Sequence, residues 1–166
     1  MPFTKQGLLL IVFLFSILYA NGQGKYNGDM QVAMVYYIGE DEKSYEKMVQ
    51  EYSTMLFNVC SNDMAKAYDV WSDLLKDLEV YAEKNNTDMK GVRLWLNIFW
   101  DKDGGIDFIV FYPKPNSKKM NYENIKEMLT GFARSYQLPI KHKQKFSHYG
   151  SAAFPVISRS ITGPEK

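Results

Sequence analysis

The stretch LNIFWDKDGGIDFIVFY, residues 96–112, decides the fold. Two runs of large apolar residues flank the short polar segment 101–105, whose sequence is DKDGG. Both runs alternate with period two, which is the period of a β-strand and not of a helix. An Asp-Gly bend between two alternating runs is typical of a hairpin, because glycine tolerates a positive φ. The stretch therefore predicts two neighbouring antiparallel strands.

A metal loop is the alternative interpretation of the same bend. A calcium loop needs oxygen ligands spread over about a dozen residues and a carboxylate that returns at its end. Asp101 and Asp103 are followed by an apolar strand in which Asp107 stands alone. His142 and His148 are six residues apart, which is not the spacing of two ligands on one helix face. We predict no metal, no cofactor and no catalytic residues.

The amino-terminal apolar run predicts export. Gly7 to Ala20 is continuously apolar, Lys5 precedes it, and small residues follow it. This is the pattern of a secretory signal, and the run is shorter than the roughly 20 residues that span a bilayer. We expect a signal peptide over residues 1–22, cut after Gly22 or after Ala20, and a mature domain over residues 23–166. An uncleaved anchor is the alternative, and we expect no membrane span after cleavage.

The charges are balanced in total and uneven along the chain. The chain has 20 basic and 19 acidic residues, which argues against nucleic acid as the main partner. Residues 40–88 carry 12 acids and 5 bases, whereas residues 129–164 carry bases and no acid. Two interpretations stay open: the two halves attract each other within the domain, or the bases meet an acidic partner or an anionic envelope polymer.

Apolar residues at helical spacing predict two helices in the first half of the chain. Residues 44–59 carry one apolar stripe, and residues 64–84 carry another. The short polar link between them indicates an antiparallel helical hairpin within a helical part over residues 40–88. Cys60, the only cysteine, lies among apolar neighbours and is interpreted as a buried inert thiol.

The second half of the chain predicts a further helix and a last strand. Residues 122–136 carry an apolar face, and Asn121 can cap the amino end of that helix. The segment KHKQKFSHYG, residues 141–150, is interpreted as a basic connector with surface histidines. SAAFPVIS, residues 151–158, is interpreted as an edge strand because Pro155 cannot donate to a ladder. The predicted fold is one α+β domain, with an N-terminal helical hairpin packed on a small antiparallel sheet of β-β-α-β order.

Residues 93–159 resemble the carboxy-terminal domain of the TonB family in the order of their parts. The parts are the strand LWLNIFW, the Asp-Gly bend, the strand IDFIVFY, the helix NYENIKEMLTGFARSY, a proline, and the closing SAAFPVIS. The resemblance implies a compact periplasmic β-β-α-β module that docks on a protein partner. In the energy transducers of that family, the partner offers an extended segment of an outer-membrane transporter.

Two departures from a transducer put energy coupling in doubt. A transducer keeps its amino-terminal helix in the inner membrane and has a Pro/Lys-rich spacer, whereas this apolar run looks cleavable and the spacer is missing. Helices over about residues 44–84 take its place. The use of an edge strand remains a physical expectation, because an exposed edge accepts a partner strand through backbone hydrogen bonds.

The first hypothesis for function is an exported, non-enzymatic protein that binds a protein or an anionic envelope component. The expected contact surface is the closing strand with the basic connector beside it, and its residues are Lys141, His142, Lys143, Lys145, Ala153, Phe154 and Val156. The backbone edge would give affinity, and the lysines would steer acidic partners.

Two other functions stay open at this stage. A small periplasmic hydrolase would need an acid/base pair such as Glu79 with His148 in one cleft. An inhibitor or immunity-type protein that neutralises a secreted toxin cannot be separated from the first hypothesis by sequence.

Overall fold

The computed structural model describes residues 34–156. The chain divides into two units, Met1–Gln31 and Val32–Lys166, and the described residues belong to the second. The predicted signal peptide and residues 157–158 of the predicted closing strand lie outside the described residues. Within residues 34–156, no helix combines the length and the hydropathy needed to cross a bilayer.

The described chain is an α+β fold with a five-stranded sheet and four helices. The strands are β1 (Val35–Tyr37), β2 (Thr54–Met55), β3 (Arg93–Trp100), β4 (Ile106–Pro113) and β5 (Phe146–Ala153). The helices are α1 (Glu42–Glu51), α2 (Leu56–Val59), α3 (Met64–Lys84) and α4 (Tyr122–Ser135). The class predicted from the sequence, α+β, is confirmed.

The sheet is mixed, with the strand order β1-β4-β3-β5-β2. The central strand β3 pairs antiparallel with both β4 and β5. The short edge strands run parallel to their neighbours, β1 beside β4 and β2 beside β5. The prediction of a purely antiparallel sheet is therefore wrong at both edges, because edge strands of two or three residues carry no periodic signal of their own.

The bend between β3 and β4 is a turn organised by one aspartate. Asp101 Oδ1 accepts hydrogen bonds from the backbone N–H groups of Asp103 and Gly105, both at 2.8 Å. The Gly105 carbonyl accepts from the Asp101 N–H at 2.9 Å. Gly104 has φ +92°, which an L side chain rarely adopts. The predicted hairpin is confirmed, and the acidic side chain serves the reversal of the chain.

Each face of the sheet packs on different helices. On the first face, Leu94, Leu96 and Ile98 lie in a core with the apolar stripes of α3 and α4. On the second face, Phe99, Phe108 and Val110 form a smaller core with Met48 and Tyr52 at α1. Period-two alternation therefore produces two cores, since successive side chains of a strand point to opposite faces.

The first predicted helix, over residues 44–59, is interrupted. Helix α1 ends at Glu51, and Thr54 and Met55 instead pair with Phe146 and Ser147 of β5. Pairing with a distant strand overrides the local helical spacing there. The predicted helical hairpin also differs from the structure, because α1 packs on the second face of the sheet while α3 packs on the first.

The predicted closing strand is displaced along the chain. Strand β5 begins at Phe146, inside the segment interpreted as a basic connector, and ends at Ala153. Phe146 and Ala152 are buried on the first face, but His148 and Gly150 stand between them and hide the apolar alternation. The strand prediction for residues 154–156 is wrong, and the last strand lies earlier.

Candidate binding surface

Helix α1 covers only one end of the second face, and the other end carries a layer of aromatic side chains. Trp95 and Tyr149 stack with ring centroids 5.5 Å apart and an angle of 11° between their planes. Lys114 Nζ lies 4.0 Å from the centroid of the Trp95 ring and donates to Ser151 Oγ at 2.9 Å. Lys114 therefore crosses the indole from β4 to β5, and a cation–π contact holds the layer together.

Two tyrosines, Tyr112 and Tyr149, belong to the same layer and lie beside Trp95. The hydroxyl groups of Tyr112 and Tyr149 are hydrogen-bonded at 2.7 Å, across the central strand. This hydrogen bond raises the pKa of Tyr149 to about 12. Tyr149 nevertheless remains among the exposed large apolar side chains. Its ring is fixed by a hydrogen bond and a stacking contact while it faces solvent.

A groove of about 330 Å³ separates this aromatic layer from α1. We call it the sheet groove. Its lining residues come from four strands, α1 and the turn after β1, and they are Ile38, Tyr45, Val49, Met55, Asn97, Tyr112, Ser147 and Tyr149. Four of the eight exposed large apolar side chains of the described residues line it, namely Ile38, Val49, Met55 and Tyr149. Such a concentration of exposed apolar surface is typical of an interaction site.

Asn97 supplies the polar group of the sheet groove. It lies in the middle of β3 among apolar residues and is only 9% exposed. Its Nδ2 donates to the Tyr45 hydroxyl at 3.2 Å. Its Oδ1 is buried and has no hydrogen-bond partner among residues 34–156. An unpaired buried acceptor costs free energy of about 1–3 kcal/mol, so Asn97 lowers the stability of the central strand at this position.

The predicted basic residues are brought to one end of the sheet, but they have different roles. Lys141 Nζ is 3.0 Å from Asp103 Oδ1, and both side chains of this ion pair are largely exposed. The backbone N–H of Gln144 donates to His142 Nδ1 at 3.2 Å, within the loop. Lys143 is exposed and lines a shallow cavity together with Lys102 and Lys145. Lys141 and Lys143 are the two lysines of this loop that face solvent.

Lys145 is a structural residue of the second core. Its Nζ lies 2.6 Å from Glu51 Oε1 and 3.5 Å from Asp107 Oδ2. It also lies 4.8 Å from the ring centroid of Tyr52. Burial lowers the pKa of Lys145, but the hydrogen bond to Glu51 and the charge of Asp107 outweigh burial, so the pKa is raised. This ammonium joins α1 to the sheet.

The three predicted residues after the basic loop lie at the end of β5 and beyond it. Ala153 is exposed and pairs with Arg93. Phe154 is buried, its N–H donates to the Val92 carbonyl at 3.0 Å, and its carbonyl accepts from Gly91 at 2.9 Å. The Val156 N–H donates to Glu79 Oε2 at 3.0 Å. The backbone of Phe154 is thus already paired within the domain.

The outer edge of β5 is open earlier along the strand. Strand β2 covers only Phe146 and Ser147, so β5 has no partner strand beyond Ser147 among the described residues. The Trp71 indole N–H donates to the Ser151 carbonyl at 3.3 Å and covers part of this edge. A partner strand therefore has access mainly at Tyr149.

The acid/base pair considered for a hydrolase is not joined by any hydrogen bond or ion pair of the described residues. Glu79 bonds the backbone of Val156. His148 packs against the Trp71 ring at 4.6 Å, and burial lowers its pKa. The expectation that His148 lies on the surface is wrong, because β5 turns this side chain towards α3.

A metal-binding cluster or a reactive thiol would be a further kind of site within residues 34–156. No group of three or more His, Cys, Asp or Glu side chains is placed there to hold a metal ion. Cys60 is buried at the end of α2, as predicted, and burial raises the pKa of its thiol. A thiol with a raised pKa is a poor nucleophile near neutral pH.

Sequence reasoning missed the sheet groove. The one available signal was Asn97, a lone amide inside an apolar strand, where a buried polar residue calls for an explanation. Tyr45 belongs to the apolar stripe of residues 44–59 and Tyr112 to the alternating run that ends at residue 112, and no local pattern joins them to Tyr149. Their proximity depends on strand order and register, which the sequence does not display.

Comparison with known proteins adds no relative. No protein-family model, no curated protein and no solved structure matches this chain.

Proposed function

We propose that this chain is an exported, non-enzymatic protein that binds a protein partner in the cell envelope. The observation that carries the proposal is the clustering of four exposed apolar side chains around the sheet groove, beside an aromatic layer held in place by hydrogen bonds. A fixed apolar surface of this kind loses little entropy on association. The export step is tested by fractionation and by the mass of the mature amino terminus.

The open edge of β5 and the basic loop supply a second part of the proposed contact surface. Tyr149 belongs both to that edge and to the sheet groove. A partner segment that adds a strand at Tyr149 would meet Lys143 near one end of β5 and Ser151 near the other. The order β3, β4, α4, β5 supports a module similar to the carboxy-terminal domain of TonB.

The proposal is tested by capturing partners from envelope extract with matched surface variants. Val49, at the groove, and Val80, on α3, are each 46% exposed on a helix surface. We expect Val49→Arg to recover at least about tenfold less of the wild-type partner, whereas Val80→Arg recovers the wild-type amount. Equal recovery by the two variants would contradict the proposal.

The contribution of the basic loop is tested separately. Lys141→Glu combined with Lys143→Glu reverses two exposed charges and leaves the ion pairs of Lys145 intact. We expect the double variant to bind the captured partner more slowly and with a changed salt dependence, since rim charges act mainly on the association rate. An unchanged association rate would restrict the contact surface to the groove.

A further inference from the structure

We propose that a cavity beside the sheet groove binds an arginine side chain of the partner protein, with the guanidinium at the carboxylates of Glu42 and Glu46. The inference deepens the proposed function and rests on it. It names the chemical group that the partner inserts next to the sheet groove.

The cavity has a volume of about 380 Å³ and is lined by β1, the turn after it, α1 and β4. We call it the acidic cavity. Its lining combines tyrosine and aliphatic side chains with three carboxylates, those of Asp41, Glu42 and Glu46. No lysine, arginine or histidine of residues 34–156 lines it. A ligand site whose charges are all negative favours a cationic occupant.

Helix α1 contributes two exposed carboxylates to the acidic cavity. Glu42 and Glu46 lie one helical turn apart, and neither has an ion pair or a hydrogen bond through its side chain within residues 34–156. The helix also carries Lys43 and Lys47, but these two lysines do not line the cavity. Like charges at this spacing repel each other, so a cation that contacts both glutamates would be favoured.

The third carboxylate, Asp41, is already used by the fold. Its Oδ2 accepts from the Ser44 hydroxyl at 2.6 Å, and its Oδ1 accepts from the Ser44 N–H at 3.0 Å. The hydrogen bond from the hydroxyl, followed by the one from the N–H, lowers the pKa of Asp41. Asp41 therefore adds a negative charge near neutral pH and leaves the direct contacts to the two glutamates.

The uncharged part of the lining favours arginine among the basic side chains. The Tyr45 hydroxyl accepts from Asn97 Nδ2 at 3.2 Å, and the Tyr45 ring lies edge-on to Phe99 with centroids 6.4 Å apart, so this ring is fixed. A guanidinium is planar, stacks on aromatic rings and binds carboxylates through paired hydrogen bonds, whereas an ammonium is a compact, strongly hydrated charge. The methylene stem of arginine can pack on apolar surface, which Met48 supplies here.

The acidic cavity adjoins the surface proposed for the partner. Ile38 and Tyr45 line both this cavity and the sheet groove. A protein that covers the sheet groove therefore lies beside the acidic cavity and can fill it with one side chain. Arginine is also among the residues that most often anchor an interface. The occupant is thus placed on the partner protein.

The probe is N-acetyl-argininamide, compared with N-acetyl-citrullinamide, which has nearly the same shape and no charge. Both are titrated into the ¹⁵N-labelled protein, with the backbone amides of Gly39 and Glu46 as reporters. We expect the arginine probe to bind with a Kd of about 1–10 mM, and the citrulline probe to bind at least about tenfold more weakly. Binding of the arginine probe should weaken as salt is added, because the carboxylates are exposed.

Matched variants connect binding to the two glutamates. Glu42→Gln combined with Glu46→Gln keeps the side-chain size and removes both charges, so the arginine probe should bind at least about tenfold more weakly. Glu123→Gln combined with Glu127→Gln makes the same change at the same spacing on α4 and should bind the probe like wild type. Urea denaturation shows whether both double variants are folded.

Three results would overturn the proposal. The first is equal binding of the arginine and citrulline probes by wild type, a comparison that does not depend on any variant. The second is equal binding of the arginine probe by the two folded double variants. The third is tighter binding of N-acetyl-lysinamide than of the arginine probe, which would contradict the choice of arginine.

The two proposals fail in different ways. If Val49→Arg loses the captured partner while Glu42→Gln with Glu46→Gln captures it like wild type, the binding function stands and the arginine assignment is wrong. If Val49→Arg captures the partner as well as Val80→Arg does, the proposed function is wrong, whichever probe the cavity prefers. A concentration-dependent dimer that Glu42→Gln with Glu46→Gln abolishes would assign the cavity to a second copy and overturn the choice of a partner protein.

Discussion

At the scale of single residues, neighbouring lysines in one basic loop serve different purposes. The Lys145 side chain is 28% exposed and contacts Glu51, Asp107 and Tyr52, whereas the Lys141 side chain is 79% exposed and forms a surface ion pair with Asp103. The sequence presents both as equal members of a basic segment. Only the register of β5 with β3 and β2 brings Lys145 to the carboxylates of α1 and β4.

This difference predicts different effects on stability. Lys145→Met removes a charged hydrogen bond and an ion pair from a half-buried site, and we expect the free energy of unfolding to fall by about 1.5 kcal/mol. Lys141→Met should change it by less than about 0.5 kcal/mol, because exposed pairs contribute little. Urea unfolding followed by tryptophan fluorescence measures both. A larger loss for Lys141→Met than for Lys145→Met would refute the structural role of Lys145.

At the scale of elements, the hairpin of β3 and β4 depends on one crowded glycine. A Cβ built on Gly104 would lie 2.4 Å from the Leu138 carbonyl oxygen and 2.8 Å from that of Ile140. Both are backbone atoms, which cannot move aside as the end of a flexible side chain can. The turn is thus held against the segment that follows α4, and the Leu138 N–H donates to the Gly104 carbonyl at 2.9 Å.

Alanine at this turn should be far more costly than at a matched glycine. Gly104→Ala combines a positive φ with backbone clashes, and we expect a loss of about 3 kcal/mol or more. Gly39 has φ +87° and open space around a built Cβ, so Gly39→Ala should cost about 1 kcal/mol. The comparison uses the same urea denaturation. Similar losses for the two variants would mean that crowding at Gly104 is relieved by movement of the loop.

Elements with a long periodic signal could be predicted, and the β-branched and aromatic segment 30–38 also indicated a strand where β1 lies, but the two-residue strand β2 could not be predicted. The stripes of α3 and α4 and the alternation of β3 and β4 appear directly in the sequence, because many residues repeat the same burial. Strand β2 has two residues, and its pairing with Phe146 is an event of the tertiary structure. In β5, His148 and Gly150 replace large apolar residues where Trp71 packs against the strand, so the alternation is hidden.

At the scale of the whole molecule, the sequence predicted the class of fold but not the position of α1. Apolar residues on both sides of β3 indicate that both faces are covered, yet they do not say which helix lies on which face. Val49 and Met55 fit the predicted helical stripe, and both are exposed at the sheet groove. A stripe predicted as core is thus partly exposed at the sheet groove.

Global stability should depend on pH through His148. Burial lowers the pKa of His148 in the folded protein, so below the unfolded value of about 6.5 the unfolded chain binds more protons. Stability is therefore complete above pH 6.5 and falls as the pH drops towards the folded pKa. We expect the loss of unfolding free energy between pH 7.5 and pH 5.5 to be smaller in His148→Gln than in wild type. Parallel stability profiles of the two proteins would contradict this role.

The segment from Val35 to Met55 supplies both outermost strands, one at each end of the sheet. The two ends are four strand spacings apart, about 19 Å, and the ten residues of α1 span about 15 Å of that distance. The segment that contains α1 thus connects the two outermost strands of the sheet. A protease cut within α1 would therefore remove the covalent link between the two outermost strands in a single event, while each strand kept its pairing with its neighbour.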